Sequence, residues 1–168
     1  MKSSLKAILV TCLLLPACGY HFAGGGSLPE GAGTISVLML QNRTSEIGIQ
    51  SKLSGDIIYE ITRRDSSRIA RPENADAVLS GVVKTVQDFD IAHTGTSTAS
   101  QRRVTLTVDM KLERPDGTSL WSRSGLSDYE AYDVAADRNR TEQNRNRAVE
   151  KLSKRMAELI YKSITDDF

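Results

Sequence analysis

Cys18 is the residue with the clearest chemistry in this chain. It follows the small residue Ala17 at the end of an apolar stretch, Ala7 to Leu15, which Lys2 and Lys6 precede. The arrangement resembles a bacterial lipoprotein signal, which places a nucleophilic sulfur in this position; the alternative is an ordinary secretory signal with a coincidental cysteine. On the lipoprotein reading a diacylglycerol joins that sulfur, the chain is cut before the cysteine, and the freed amine is acylated. The apolar stretch is too short for a hydrocarbon core, which needs about 20 residues, so 1–17 reads as a cleaved export signal. Each buried acyl CH2 contributes about 0.8 kcal/mol and one chain holds only marginally, so three chains would anchor the protein without a spanning helix. Cys12 leaves with the signal, so no disulfide is expected in what remains.

The arginines are the second group. The stretch Thr94–Gln101 is rich in Thr, Ser and Gly and runs into Arg102-Arg103. An arginine fork matches phosphate and carboxylate, so a hairpin tip ending in this pair could read an anionic head group, or it could be a solvated loop. Arg138 and Arg140, in the loop 133–140, carry the same two readings. Trp121, Tyr129 and Tyr132 are either core and sheet-edge packing or an interface anchor.

Other constellations are missing. His21 and His93 have no Cys and no HExxH spacing near them, which argues against a metal site. There is no GxSxG elbow and no P-loop, and Gly24-Gly25-Gly26 does not follow a strand. Asp88 and Asp90 alternate along a strand end and read as solubilising charges. Nothing supports an enzyme or a resident cofactor beyond the lipid chains on Cys18. Loss of Lys2 and Lys6 turns a formal charge of +1 into −1, a balance that argues against general nucleic-acid binding.

The elements that must hold these groups follow from periodicity. Residues 18–33 form the lipidated start and a glycine-rich tether. Thr34–Leu40 reads as a strand that stops at Gln41-Asn42-Arg43-Thr44, and Ser45 as the N-cap of a helix to about Arg64. Ile49, Leu53, Ile57 and Ile61 make that helix's apolar stripe. Arg68–Arg71 reads as a short strand. Ala77–Ile91 reads as a long one, with Val78, Val82 and Val86 on one side and Leu79, Val83 and Phe89 on the other. Val104, Leu106, Val108, Met110 and Leu112 alternate with polar residues, so one face is buried and the other wet. Arg114-Pro115-Asp116-Gly117 turns the chain into a partner strand, Thr118 to about Tyr129.

A last helix spans about Thr141–Thr165. Val149, Leu152, Met156, Leu159, Ile160 and Ser163 share one sector of it, and Arg140, Arg147, Lys151 and Lys154 form an opposite basic stripe, read as solvated. The expected fold is a single α+β domain over 34–168. It is a two-layer sandwich of a three- to four-stranded, mostly antiparallel sheet with two helices packed on one face.

Taken together, Ala17-Cys18-Gly19-Tyr20-His21-Phe22, Pro29, the strand Val104–Leu112, the Pro115-Asp116-Gly117 turn, Leu120-Trp121 and the closing helix resemble the LptE (RlpB) lipopolysaccharide-assembly lipoprotein family. The resemblance implies an outer-membrane lipoprotein facing the periplasm, and Gly19 after the lipidated residue fits that sorting. It implies a place inside the β-barrel partner LptD, help with barrel assembly, and a part in delivering lipopolysaccharide to the outer leaflet. It also implies lipopolysaccharide binding through basic residues at one end of the sheet, for which Arg102, Arg103, Arg138 and Arg140 are the nearest. The alternative is another periplasm-facing lipoprotein, an accessory subunit of an envelope transport or cell-wall complex.

Overall fold

The computed structural model describes residues 28–94 and 98–166, without the side chains of 92–99. The signal, Cys18, the motif at 19–22 and Gly24–Gly26 lie outside the described residues, as do the side chains of most of the Thr94–Gln101 tip.

The elements are β1 (Ile35–Val37), β2 (Gln41–Asn42), α1 (Ile49–Arg64), β3 (Ala77–Thr94), β4 (Thr98–Glu113), β5 (Ser119–Asp133) and α2 (Arg138–Asp166). β3, β4 and β5 form an antiparallel meander, while β1 and β2 pair in parallel with successive parts of β3. The α+β sandwich expected from the sequence is present, with a mixed sheet of five strands rather than three or four. Two strands were hard to see because they are two and three residues long. Gln41 and Asn42, expected to end a strand, form β2. The expected strand at Arg68–Arg71 is reduced to a 3-10 turn, Ser66–Arg68, and a single bridge from Ile69 to Ile35.

Alternation in β4 places Val104, Leu106, Val108, Met110 and Leu112 in the core, each no more than 2% exposed. Ile49, Leu53, Ile57 and Ile61 of α1 and Leu152, Met156, Ile160 and Ile164 of α2 join the same core, so both helices cover one face of the sheet. The opposite face carries no element among the described residues. α1 begins at Ile49 rather than near Ser45. Asn42 causes the delay: its amide donates to Glu46 O at 2.8 Å and Gln50 Oε1 at 3.0 Å, and its carbonyl oxygen accepts from Thr44 N–H and Oγ1. Gly48, at φ 83°, then enters the helix in a left-handed conformation that suits glycine.

β3 changes face partway. The register to β4 shifts between Val83 and Thr85, a bulge that inserts one residue. Leu79 and Val83 are buried before it; after it Val86 packs against the core and Phe89 is 44% exposed. The expected grouping of Phe89 with Leu79 and Val83 is therefore corrected, because the extra residue reverses the alternation. At the other end the chain is already packed at Leu28. Ala32 is buried, and Arg114 Nη2 donates to Glu30 O at 3.0 Å.

Candidate functional site

The far end of the sheet, where β3 runs into β4, carries most of the singled-out side chains. Arg102 and Arg103 are adjacent on β4, and successive side chains on a strand point to opposite faces. Buried Val104 marks the helix face, so Arg102 lies on that face and Arg103 on the open one. The two guanidinium groups do not form one site.

On the helix face, Arg102 Nε donates to Asp90 Oδ1 at 2.6 Å, a bond that raises the pKa of Arg102. Next to it, Tyr132 donates its hydroxyl to Asp88 Oδ1 at 2.8 Å. Burial, then the bond to Asp88, pushes Tyr132 up to about 12. Arg145 of α2 completes the cluster. Its Nη2 donates to Glu46 Oε2 at 2.7 Å and its Nε to Asp88 Oδ2 at 3.0 Å. The bond to Glu46 is the main cause of a raised Arg145 pKa, which burial partly opposes. Asp88 and Asp90 therefore bind cations within the fold rather than only solubilising it. This cluster ties α2, β3, β5 and the loop before α1 together, and its cations are already satisfied.

The open face differs. The Arg103 guanidinium carbon sits 5.6 Å from the Phe89 ring centroid and 5.2 Å from that of Tyr129. Phe89 is directly opposite Arg103 across the ladder, and Tyr129 is diagonal to it on β5. Cation–π contacts of this kind are worth about 0.5–1 kcal/mol at exposed sites. They orient the guanidinium without neutralising it. Arg103 has no acidic partner among the described residues, and its Nε is buried with no hydrogen-bond partner. Phe89, Ile91 and Tyr129 are 44%, 45% and 55% exposed. A positioned, unneutralised guanidinium with an apolar margin suits an anion carried on an amphiphile. The sequence pointed to Arg103 and Tyr129, but Phe89 was missed because nothing marks the bulge that turns it outward.

Arg138 and Arg140 lie on the first turn of α2 rather than in a loop before it, and both are exposed. Asp137 accepts from the Arg140 N–H at 2.7 Å and stabilises that turn. α2 starts at this end of the sheet, where Asn144 Nδ2 donates to Asp133 O at 2.8 Å. Among the described residues, neither arginine shares a bonding partner with Arg102 or Arg103. The aromatic cluster also divides: Trp121 and Tyr132 are buried and Tyr129 is not.

Elsewhere, a groove of about 740 Å3 is lined by Arg64, Asp128, Arg155, Tyr161 and Lys162 among others. Its arginines are already paired, Arg64 with Glu60 and Arg155 with Asp128. Among the described residues, no three His, Cys, Asp or Glu side chains group as metal ligands.

A model of the LptE family, described as lipopolysaccharide-assembly, matches residues 32–164. Comparison with curated proteins finds no match. Among solved structures, a Caulobacter crescentus chain is similar at 13% identity and TM-score 0.58, over 81% of this chain and 91% of that one. The rare lipoprotein B of Shewanella oneidensis is similar at 12% identity and TM-score 0.57, over 76% and 94%. The minor lipoprotein of Acinetobacter baumannii is similar at 17% identity and TM-score 0.53, over 81% and 92%. At these identities the structures share the fold.

Proposed function

This chain belongs to the LptE lipopolysaccharide-assembly family, and from that premise we propose that it is an outer-membrane lipoprotein anchored through Cys18. It faces the periplasm, occupies and helps assemble the LptD barrel, and takes part in passing lipopolysaccharide to the outer leaflet. The absence of a long apolar helix among the described residues is compatible with a lipid anchor. Its expected partners are therefore LptD, lipopolysaccharide and the membrane that holds its acyl chains.

One observation carries the lipid-contact part of this reading: Arg103, stacked between Phe89 and Tyr129, with a buried Nε that no described residue satisfies. A lipopolysaccharide phosphate or carboxylate would supply the missing acceptor, and charge-assisted bonds of this kind are about twice as strong as neutral ones. The two aromatic rings would border the apolar part of the same ligand. Arg102 is bound to Asp90, so it is not a direct contact in this reading, and Arg138 and Arg140 are outlying cations.

The test is lipopolysaccharide binding by Arg103→Glu, with folding checked by circular dichroism. Binding should fall about 10- to 150-fold, as expected for loss of a charged hydrogen bond of about 1.5–3 kcal/mol. Unchanged binding in a folded variant would reject the site. Recovery of the protein without any barrel after mild detergent extraction would reject the plug.

A further inference from the structure

The two outer edges of the sheet are finished differently. Among the described residues β5 has no strand beyond it, yet both outward backbone groups of Tyr129 are taken. Its N–H donates to Asp128 Oδ1 at 2.8 Å, and its carbonyl accepts from Arg155 Nη2. Arg155 Nε also donates to Asp128 Oδ2 at 2.9 Å. An incoming strand would have to break an ion pair, which is how native sheets protect an exposed edge.

The β3 edge lacks such a guard among the described residues. β2 covers it as far as Val83, whose carbonyl accepts from Arg43 N–H at 3.0 Å. Past the bulge the pairing register decides which groups point outward. Tyr129 directs its own groups away from β4, so Thr105 opposite it turns toward β3. Regular alternation from Thr105 then leaves Val86, Asp88 and Asp90 with outward N–H and C=O groups. No hydrogen bond among the described residues reaches them, and residues 87–91 are all exposed.

We propose that this edge of β3 takes up an extended segment of a partner protein as an added strand, in which apolar side chains alternate with cationic ones. Strand addition draws affinity from main-chain bonds and specificity from alternate side chains. On the open face the added strand would meet Phe89. On the helix face it would meet Asp90, whose Oδ2 has no donor among the described residues, while Asp88 is held by Tyr132 and Arg145. This charge pattern also decides against a second copy. Glu46, Asp88 and Asp90 against Arg102 and Arg145 leave one net negative charge at this edge; antiparallel pairing of two β3 edges would set that charge against its counterpart, and like charges across a ladder destabilise it. The proposal does not rest on the lipid reading of Arg103, although Phe89 borders both surfaces.

Hydrogen exchange on the full chain in detergent tests it, with an end-capped peptide of alternating valine and lysine as probe. Exchange in residues 85–91 should slow, with β5 unaffected. A valine–glutamate peptide, or the lysine peptide N-methylated along its bonding edge, should give no protection. Asp90→Lys should weaken the lysine peptide by about tenfold, as reversal of a facing charge predicts. Arg155→Ala should open a second protected stretch at residues 127–131. Protection absent at 85–91, or equal for all three peptides, would overturn the proposal. So would protection of 85–91 that rises with protein concentration alone, because the occupant would then be a second copy.

Discussion

Arg102 and Arg103 are neighbours in the chain and lie on opposite faces of the sheet, the first bound to Asp90 and the second stacked on Phe89 and Tyr129. Their substitutions should therefore separate. Arg102→Gln breaks a pair whose side chains are 42% and 45% exposed, so it should cost under about 1 kcal/mol. It should leave lipopolysaccharide binding unchanged. Arg103→Gln should cost as little in stability and lose most of the binding. Isothermal titration beside thermal melts on the two variants checks this; equal binding losses would mean that the faces do not act separately.

Arg145 joins Glu46 and Asp88 from a side chain only 17% exposed. Arg145→Ala leaves two partly buried carboxylates without their cation, and losing one partner of a buried pair costs about 3–5 kcal/mol. Because this cluster is only partly buried, the expected loss is about 2–3 kcal/mol, read by urea denaturation. Tyr132→Phe removes one hydroxyl bond to Asp88 and should cost about 1 kcal/mol. A loss from Arg145→Ala no larger than that of Tyr132→Phe would show that Arg145 is not what holds the cluster.

The division of Arg102 from Arg103 was legible in the sequence. Extending the Val104–Leu112 alternation back by two residues puts Arg102 with the buried set and Arg103 with the wet one. The apolar stripes of both helices and the Arg114–Gly117 turn were legible for the same reason, since each is a local pattern in the chain. β2 and the bulge after Val83 were not. A two-residue strand has no periodicity, and no residue type marks a bulge at Lys84. Arg145 was hidden too, because its carboxylate partners lie 57 and 99 residues away and meet it only in the folded chain.

Glu60 should make stability depend on acid. It is 3% exposed. Burial pushes its pKa up, but the bonds from Arg63 and Arg64 outweigh this and hold it below its ordinary value of 4.5. A carboxylate with a depressed folded pKa adds stability that is fully present above the unfolded value and is lost as pH falls through the folded one. Melting temperature should therefore drop below about pH 4.5, and the drop should be shallower in Glu60→Gln. Parallel acid profiles for the two proteins would rule out this residue as the cause.

Two glycines should respond oppositely to alanine. Gly55 lies on the exposed side of α1, and an added Cβ there meets nothing within 4 Å. Glycine in a helix interior costs about 0.8–1 kcal/mol relative to alanine, so Gly55→Ala should stabilise by roughly that amount. Gly81 on β3 faces the core, where a Cβ would come within 2.4 Å of Met110 Sδ and 2.6 Å of Asp109 O. The Met110 side chain could rotate aside, but the Asp109 carbonyl belongs to the β4 backbone and cannot move without disturbing the ladder. Overpacking of this kind costs about 1–3 kcal/mol. Urea denaturation of the two single variants should shift the midpoint up for Gly55→Ala and down for Gly81→Ala. A neutral Gly81→Ala would mean that β3 and β4 can separate at this point, and that the close approach beside Leu40 is not needed to hold the sheet together.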